Sequence, residues 1–298
     1  MPLLDFREVR PWASAIRTAV LRGVMPPWPA EDGVAFEGTR LLSAREIDVI
    51  ADWAGGGAPE GNEGPAASPA PVPARDSVAV NPDLLIHLPR PATIEGGHLE
   101  ASADFTIPAG LDADRWISAW EFRPQNRAIV HDAMIFLELP PGPKDLLGTW
   151  SPAQRLVRYP EEAGREIRAG AAVVLRIRYR RPFQQRMGRL DDRSELALWL
   201  HAKPPAARVR SLALTGGSLA LDAPVRLLAI TRLGGSGPFS LVAHAPGGHT
   251  RLLLAGRAFD EAWPIQYRLA ESLELAGGTR VGHREPAEEV WLEILDAR

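Results

Sequence analysis

The stretch Ile129–Glu138 (IVHDAMIFLE) decides the fold class, because its side chains alternate between two faces. The odd-numbered residues from Ile129 to Leu137 form an apolar face that also contains His131, and the even-numbered residues form a mixed face. A period of two predicts a β-strand. On an apolar face an imidazole is most often buried and hydrogen-bonded. We therefore expect His131 to be a core histidine unless other metal ligands converge on it.

The same alternation recurs along most of the chain. It is found in Arg115–Phe122, Val173–Arg180, Leu196–Leu200, Arg226–Thr231, Phe239–His244, Arg251–Ala255, Ser272–Leu275 and Val290–Ile294. Many short strands separated by turns predict antiparallel β-sandwiches. Since this part of the chain is too long for one sandwich of about 100 residues, we predict two, 81–208 and 209–298, with the break near Pro204–Arg210.

The N-terminus has a helical period instead. Apolar residues recur at helical spacing from about Val9 to Arg22, and Ser43-Ala-Arg-Glu46 is a capping box that predicts a second helix ending at Gly55-Gly-Gly57. We predict a small α-helical unit over 1–62. A Pro- and Ala-rich stretch follows, which predicts a linker over 63–80. The predicted fold class is therefore mostly β, two antiparallel sandwiches preceded by a small helical unit.

Composition excludes several classes of protein. The net charge of -3 is unlike that of a basic nucleic-acid-binding protein. No apolar run approaches the ~20 residues of a membrane span, and the start MPLLDFRE lacks the basic and apolar regions of a signal peptide. The chain has no cysteine, so it contains no disulfide, thiolate metal site or Cys-x-x-Cys-His haem attachment.

Four N-terminal segments resemble the C-terminal half of a bacterial cytochrome c domain. They are Asp5–Trp12 (DFREVRPW), Met25–Trp28 (MPPW), Leu42–Ile47 (LSAREI) and Trp53–Gly61 (WAGGGAPEG). The resemblance implies that Met25 matches the axial methionine of haem c. The half that would carry the haem-attachment cysteines is missing from this sequence.

The remainder resembles the copper type II, ascorbate-dependent monooxygenase family, which includes the peptidylglycine α-hydroxylating and dopamine β-monooxygenases. The matching segments are Asn81–Asp83, Trp120–Asn126, Val130–Asp132, Gly148–Pro152, Ile177–Tyr179, Asp192–Leu198, Pro246–Gly248 and Phe259–Tyr267. The resemblance implies two jelly-roll-like sandwiches, each holding one copper near the cleft between them. One copper passes electrons, and the other binds dioxygen and hydroxylates a C–H bond.

Few of the copper ligands that the resemblance implies are present. The family's His-His pair falls on His131-Asp132, and the next ligand falls on Arg178. The segment that should supply a His-x-His pair falls on Ile230–Gly237, and the final methionine falls on Val290. Only His131 is retained, and one imidazole does not complete a metal site. We therefore expect no tightly bound copper or haem, both of which enter only through the resemblance.

Arg176, Arg178 and Arg180 form a basic stripe on one face of a predicted strand. Such a stripe is usually solvated. In a cleft between the sandwiches, it could instead hold an anion or a carboxylate partner by bidentate hydrogen bonds. The partner hypothesis is thus an unknown small molecule or protein bound in the inter-domain cleft.

Three functional hypotheses follow. The first is a degenerate, non-catalytic member of the family that serves as a binding or structural module. The second is an active copper-dependent oxidoreductase that uses His131. The third is a haem-linked electron-transfer component that uses Met25. Because the family is normally exported, a further expectation is that the missing haem half and a signal sequence lie upstream of Met1 in the natural gene.

Overall fold

The fold is described from a computed structural model. The described residues are 5–26, 28–61, 81–138, 144–152, 154, 156–182, 185, 187–214, 216–283 and 289–296. The predicted linker 63–80 lies outside this part of the chain. Within it, no helix combines the length and the apolar character needed to cross a membrane.

The N-terminal unit is helical, as the capping box predicts. It contains α1 (Phe6–Val9), a 3₁₀ turn (Arg10–Trp12), α2 (Ala13–Leu21) and α3 (Ala44–Gly55). The Ser43 side chain accepts from the Glu46 N–H, and the Glu46 carboxylate accepts from the Ser43 N–H. The predicted helix from Val9 to Arg22 is split, because Pro11 in the 3₁₀ turn has no N–H to donate.

The rest of the described chain is β-structure. The strands before residue 201 are β1 (Asp32–Gly33), β2 (Leu84–His87), β3 (Ala92–Ile94), β4 (Glu100–Pro108), β5 (Arg115–Arg123), β6 (Val130–Glu138), β7 (Lys144–Trp150), β8 (Val157–Arg158), β9 (Ala163–Ile167), β10 (Ala172–Arg180), β11 (Leu190–Asp192) and β12 (Glu195–Leu200). Those after it are β13 (Ala207–Leu214), β14 (Ser218–Ala220), β15 (Val225–Leu233), β16 (Gly237–His244), β17 (Thr250–Phe259), β18 (Gln266–Leu275), β19 (Arg280–His283) and β20 (Glu289–Asp296). The predicted mostly-β fold is confirmed.

Two sandwich cores are present, and one sheet runs through both. That sheet has nine strands, in the order β18-β15-β20-β13-β9-β5-β12-β2, with β8 beside β5. At the predicted break near Pro204–Arg210, β13 pairs with β20 on one side and in parallel with β9 on the other. The sheet is therefore continuous where the sequence predicts only a boundary between domains.

A smaller sheet completes each sandwich. The four-stranded sheet β4-β10-β6-β7 covers the first core, where Trp120, Ile135 and Ile177 are fully buried. The five-stranded sheet β1-β17-β16-β19-β14 covers the second core, around Leu241 and Leu292. Apart from β13 with β9, every strand pair in these sheets is antiparallel.

Part of the predicted helical unit belongs to the second sandwich. The Trp28 ring packs edge-on against Tyr267, with ring centroids 5.2 Å apart. Strand β1 pairs with β17, and Phe36 bridges to Leu269. Residues 28–36 therefore contribute to the second core. The prediction of a separate unit over 1–62 misses this contribution, because so short a stretch shows no period.

Strand β20 is buried on both faces and joins the two sandwiches. Val290, Leu292 and Ile294 enter the second core. On the opposite face, Trp291 packs against Phe136 of β6, with ring centroids 6.4 Å apart. Because side chains alternate along a strand, Glu293 lies on this same face and is 2% exposed. The outer face of the four-stranded sheet is thus an interface between the sandwiches.

Candidate functional site at the sandwich junction

His131 lies in a β-bulge at the end of this interface. In the pairing of β6 with β10, Asp132 lies opposite Arg178 and Val130 lies opposite Tyr179, so His131 has no partner in the ladder. A bulge of this kind redirects side chains. The imidazole contacts the Trp263 ring of the second sandwich, with centroids 4.5 Å apart. The expectation that His131 lies on the core face is therefore wrong.

An ion pair stands beside His131, and in it one N–H of Arg178 is shared between the two oxygens of Asp132. Arg178 Nε lies 3.0 and 2.8 Å from the two carboxylate oxygens of Asp132, which is fully buried. His131 Nδ1 lies 2.7 Å from Asp132 Oδ2. Because a carboxylate only accepts hydrogen bonds, Nδ1 carries the proton and donates it.

A turn of the second sandwich covers this pair. In the turn Asp260–Trp263, the Trp263 N–H donates to the Asp260 carbonyl, and the Ala262 N–H donates to the Asp260 carboxylate. The Glu261 N–H donates to the Ser236 hydroxyl at 3.2 Å. Arg178 Nη2 donates to the Glu261 carbonyl at 3.0 Å. Arg178 therefore holds a carboxylate of one sandwich and a turn of the other.

The predicted basic stripe lies along β10 at the edge of this junction. Arg176 lies 3.2 Å from Asp104, and Arg180 lies 3.6 Å from Glu100. Each arginine of the stripe thus has a carboxylate on a neighbouring strand. A small pocket of about 80 Å³ opens here, and its lining includes Ser102, His131, Arg178, Arg180 and Glu100. The structure therefore brings together His131 and two of the three arginines.

An arginine also occupies the second position at which the resemblance implies copper. Arg232 of β15 lies opposite Val290 of β20. Its guanidinium lies over the Phe239 and Phe259 rings at 5.1 and 4.9 Å, and Nη1 donates to the Gly235 carbonyl. Arg232 is 6% exposed. A buried cation that contacts aromatic rings therefore fills this part of the second sandwich.

Neither position fits a copper ion. Across the described residues, no group of three or more His, Cys, Asp and Glu side chains lies close enough to hold a metal. His131 uses Nδ1 on Asp132, and both Asp132 oxygens accept from a guanidinium, which cannot coordinate a cation. The residues that the resemblance places around copper thus form a closed ion pair.

Met25 lies away from this cluster, after α2. It is 45% exposed and lines a larger pocket together with Trp28, Phe259 and Trp263. Trp263 is shared, because it lines this pocket and also contacts His131. The two residues singled out for metal chemistry, Met25 and His131, are therefore linked through one indole ring.

Sequence reasoning missed a buried ion network in the middle of the interface. Arg165 of β9 donates five hydrogen bonds, to Asp145, to the Leu146 carbonyl, to Ser211, to Tyr159 and to Glu293. Arg268 also pairs with Glu293, at 2.6 Å. The one available signal was a glutamate inside the apolar run VWLEIL of β20, because a buried charge requires a partner.

The carboxylates of this network favour the charged forms of Arg165 and Arg268. Burial would lower the pKa of Arg165, but the carboxylates of Asp145 and Glu293 raise that pKa above its ordinary value. The pKa of Arg268 is likewise raised, since Glu293 more than offsets the effect of burial. Burial raises the pKa of Tyr159. The network therefore stays ionised on its arginines and neutral on its tyrosine.

Comparison with known proteins gives no family for this chain. No protein-family description matches the sequence. No curated protein matches it either.

Solved structures give distant likenesses. The major capsid protein P2 from bacteriophage PM2 is 11% identical with a TM-score of 0.28, over 71% of this chain and 96% of that one. The turret protein A223 of Sulfolobus turreted icosahedral virus is 12% identical with a TM-score of 0.18, over 72% of this chain and 98% of that one. Bacillus subtilis oxalate decarboxylase is 8% identical with a TM-score of 0.16, over 75% of this chain and 79% of that one.

Proposed function

We propose that this chain is a non-catalytic, binding module of copper-monooxygenase-like ancestry, with its ligand surface at the sandwich junction. The observation that carries the proposal is the Asp132–Arg178 pair, which stands where the resemblance places two copper ligands. Arg178 cannot coordinate a cation, and it occupies both oxygens of Asp132. A copper ion near His131 would therefore find no second imidazole and no open carboxylate.

The ligand we propose for this surface is a carboxylate group. Arg178 and Arg180 supply N–H donors to the small pocket, and His131 and Ser102 line it. The Arg180–Glu100 pair is exposed on both sides, with side chains 63% and 71% accessible. Exposed pairs contribute about 0–1 kcal/mol, so a ligand carboxylate can displace Glu100. A volume of about 80 Å³ suits a carboxylate group and not a large molecule.

Copper loading under reducing conditions tests the non-catalytic role. After dialysis, metal analysis should find no stoichiometric copper, and ascorbate-dependent oxygen consumption should equal that of buffer. One or two tightly held coppers per chain would refute the proposal. Oxygen consumption that disappears in His131→Ala would support an active copper enzyme instead.

A double variant designed to bind copper tests whether the ion pair occupies a potential metal site. Asp132→His/Arg178→His removes both charges of the pair and places two imidazoles on opposed positions beside His131. We expect this variant to retain copper through dialysis. The control Arg176→His, two residues along the same face, should not. Equal copper retention by the double variant and the control would show that the ion pair does not stand at a potential metal site.

A further inference from the structure

The pocket beside Met25 has aromatic walls. Its volume is about 390 Å³, within the ~300–1,000 Å³ range of small-molecule sites. Rings of Trp28, Phe259 and Trp263 line it together with the Met25 thioether. Residues from the segment between α2 and β1 and from the second sandwich contribute. The pocket is separate from the small pocket at Arg178 and Arg180.

The lining of this pocket carries one carboxylate. Asp260 is the one ionisable side chain among the described residues that line it, and Ser236 adds a hydroxyl. One carboxylate oxygen of Asp260 accepts from the Ala262 N–H, so the side chain is fixed in place. Aromatic faces attract cations through their quadrupole. A cation is therefore complementary to the carboxylate and to any ring in the pocket that has no other cation over it.

Trp263 is the ring available to a ligand cation. The Phe259 ring already has the Arg232 guanidinium over it at 4.9 Å, and the Trp28 ring has that of Arg40 at 5.8 Å. In the described part of the chain, no arginine lies over Trp263. The Asp260–Trp263 turn is fixed by its internal hydrogen bonds and by Arg178. The indole and the carboxylate are thus held in place before a ligand binds.

We propose that this pocket binds a small molecule with a trimethylammonium group. Such a group has no N–H and is weakly hydrated, so contact with Trp263, the Met25 thioether and Asp260 replaces its water at low cost. A primary ammonium would lose stronger hydrogen bonds to water. A ligand with a carboxylate next to its cation would be repelled by Asp260. The ligand class is therefore a choline-like cation and not an amino acid or a betaine.

Calorimetric titration of the full chain with choline tests this site. The comparison ligand is 3,3-dimethylbutan-1-ol, which has the same shape with a neutral carbon in place of nitrogen. Choline should bind about tenfold more tightly, a ratio that corresponds to about 1.4 kcal/mol and lies within the range of cation–π contacts. Trp263 should report binding through tryptophan fluorescence.

Variants assign the binding to named residues. Trp263→Leu should weaken choline binding about tenfold or more, and the shape-conserving Asp260→Asn about threefold or more. Asp222→Asn, an exposed aspartate of the same sandwich, is the matched control and should bind as the unaltered chain does. Circular dichroism confirms the fold of each variant, and the exposed Met25→Ala provides a further test that leaves the core intact.

Two results would overturn the assignment. Equal affinity for choline and its neutral isostere would show that the pocket is simply apolar. Unchanged choline affinity in both Trp263→Leu and Asp260→Asn would place binding elsewhere. The titrations use metal-free protein, so they are independent of the copper experiment, and either proposal can fail without the other.

Discussion

Replacing Arg165 by methionine should destabilise the junction more than any exposed charge change. Arg165 is 1% exposed and donates to two carboxylates, a carbonyl, a serine and a tyrosine. Methionine preserves most of the side-chain volume but removes every donor. Breaking a buried ion pair from one side costs about 3–5 kcal/mol, because the remaining charge stays buried.

The structure places the expected loss at the lower end of that range. Asp145 is 18% exposed and regains some contact with water, and Arg268 still holds the other oxygen of Glu293 at 2.6 Å. We therefore expect a loss of about 3 kcal/mol. At about 2 °C per kcal/mol for a chain of this size, the melting temperature should fall by about 6 °C.

Urea unfolding followed by far-UV circular dichroism measures the loss. The control is Arg176→Met, the same substitution in an exposed pair with Asp104, which should cost less than about 1 kcal/mol. In the Arg165→Met background, Glu293→Gln should cost less than it does alone, because one of the two arginines that pair with Glu293 is already absent. If Arg165→Met costs no more than Arg176→Met, the network does not stabilise the junction and the reasoning fails.

Three further predictions concern other parts of the fold. Burial raises the pKa of all three tyrosines above the ordinary value of 10.0. The stability that the neutral, buried hydroxyls provide is therefore complete below pH 10. As the pH rises further, the free energy of unfolding should fall by up to about 1.4 kcal/mol per pH unit for each tyrosine. Absorbance at 295 nm should show no tyrosinate near pH 10 while circular dichroism remains native, and an ordinary titration there would contradict this. Arg181→Lys should lower the free energy of unfolding in urea by about 2 kcal/mol or more, because a lysine cannot replace a guanidinium that donates to five backbone carbonyls. A decrease below about 0.5 kcal/mol would contradict this prediction. Gly256→Ala should detach the segment around Trp28, because the added methyl group collides with the Pro29 carbonyl. Tryptophan fluorescence should then shift towards that of exposed indole. The control Gly247→Ala, in an open turn, should leave the fluorescence unchanged.

Local patterns predicted the strands well. The alternation in Val173–Arg180 and Val290–Ile294 corresponds to β10 and β20, because a strand that packs on a core must alternate. The Ser43–Glu46 capping box is formed as predicted, since it depends on side chains only three residues apart. These features depend on neighbours in sequence, and the sequence therefore contains enough information to specify them.

Long-range pairing could not be predicted from the same patterns. The parallel contact of β13 with β9 joins residues more than forty positions apart, and neither strand reveals its partner. The Arg165 network likewise takes its members from five different strands and a loop. The bulge at His131 changes the register by a single residue, and that is enough to turn the imidazole from the predicted core face to the junction.

The bulge and the ion pair are physically connected. Asp132 is fully buried, and a carboxylate there requires a cation within hydrogen-bonding distance. Arg178 supplies it from the opposed position on β10 and also donates to the Glu261 carbonyl of the second sandwich. Exchanging one partner alone would leave a buried charge, so the fold remains stable only when the two opposed positions change together. The same arginine also holds the turn that carries Trp263, so the ion pair and the aromatic pocket depend on one structural element.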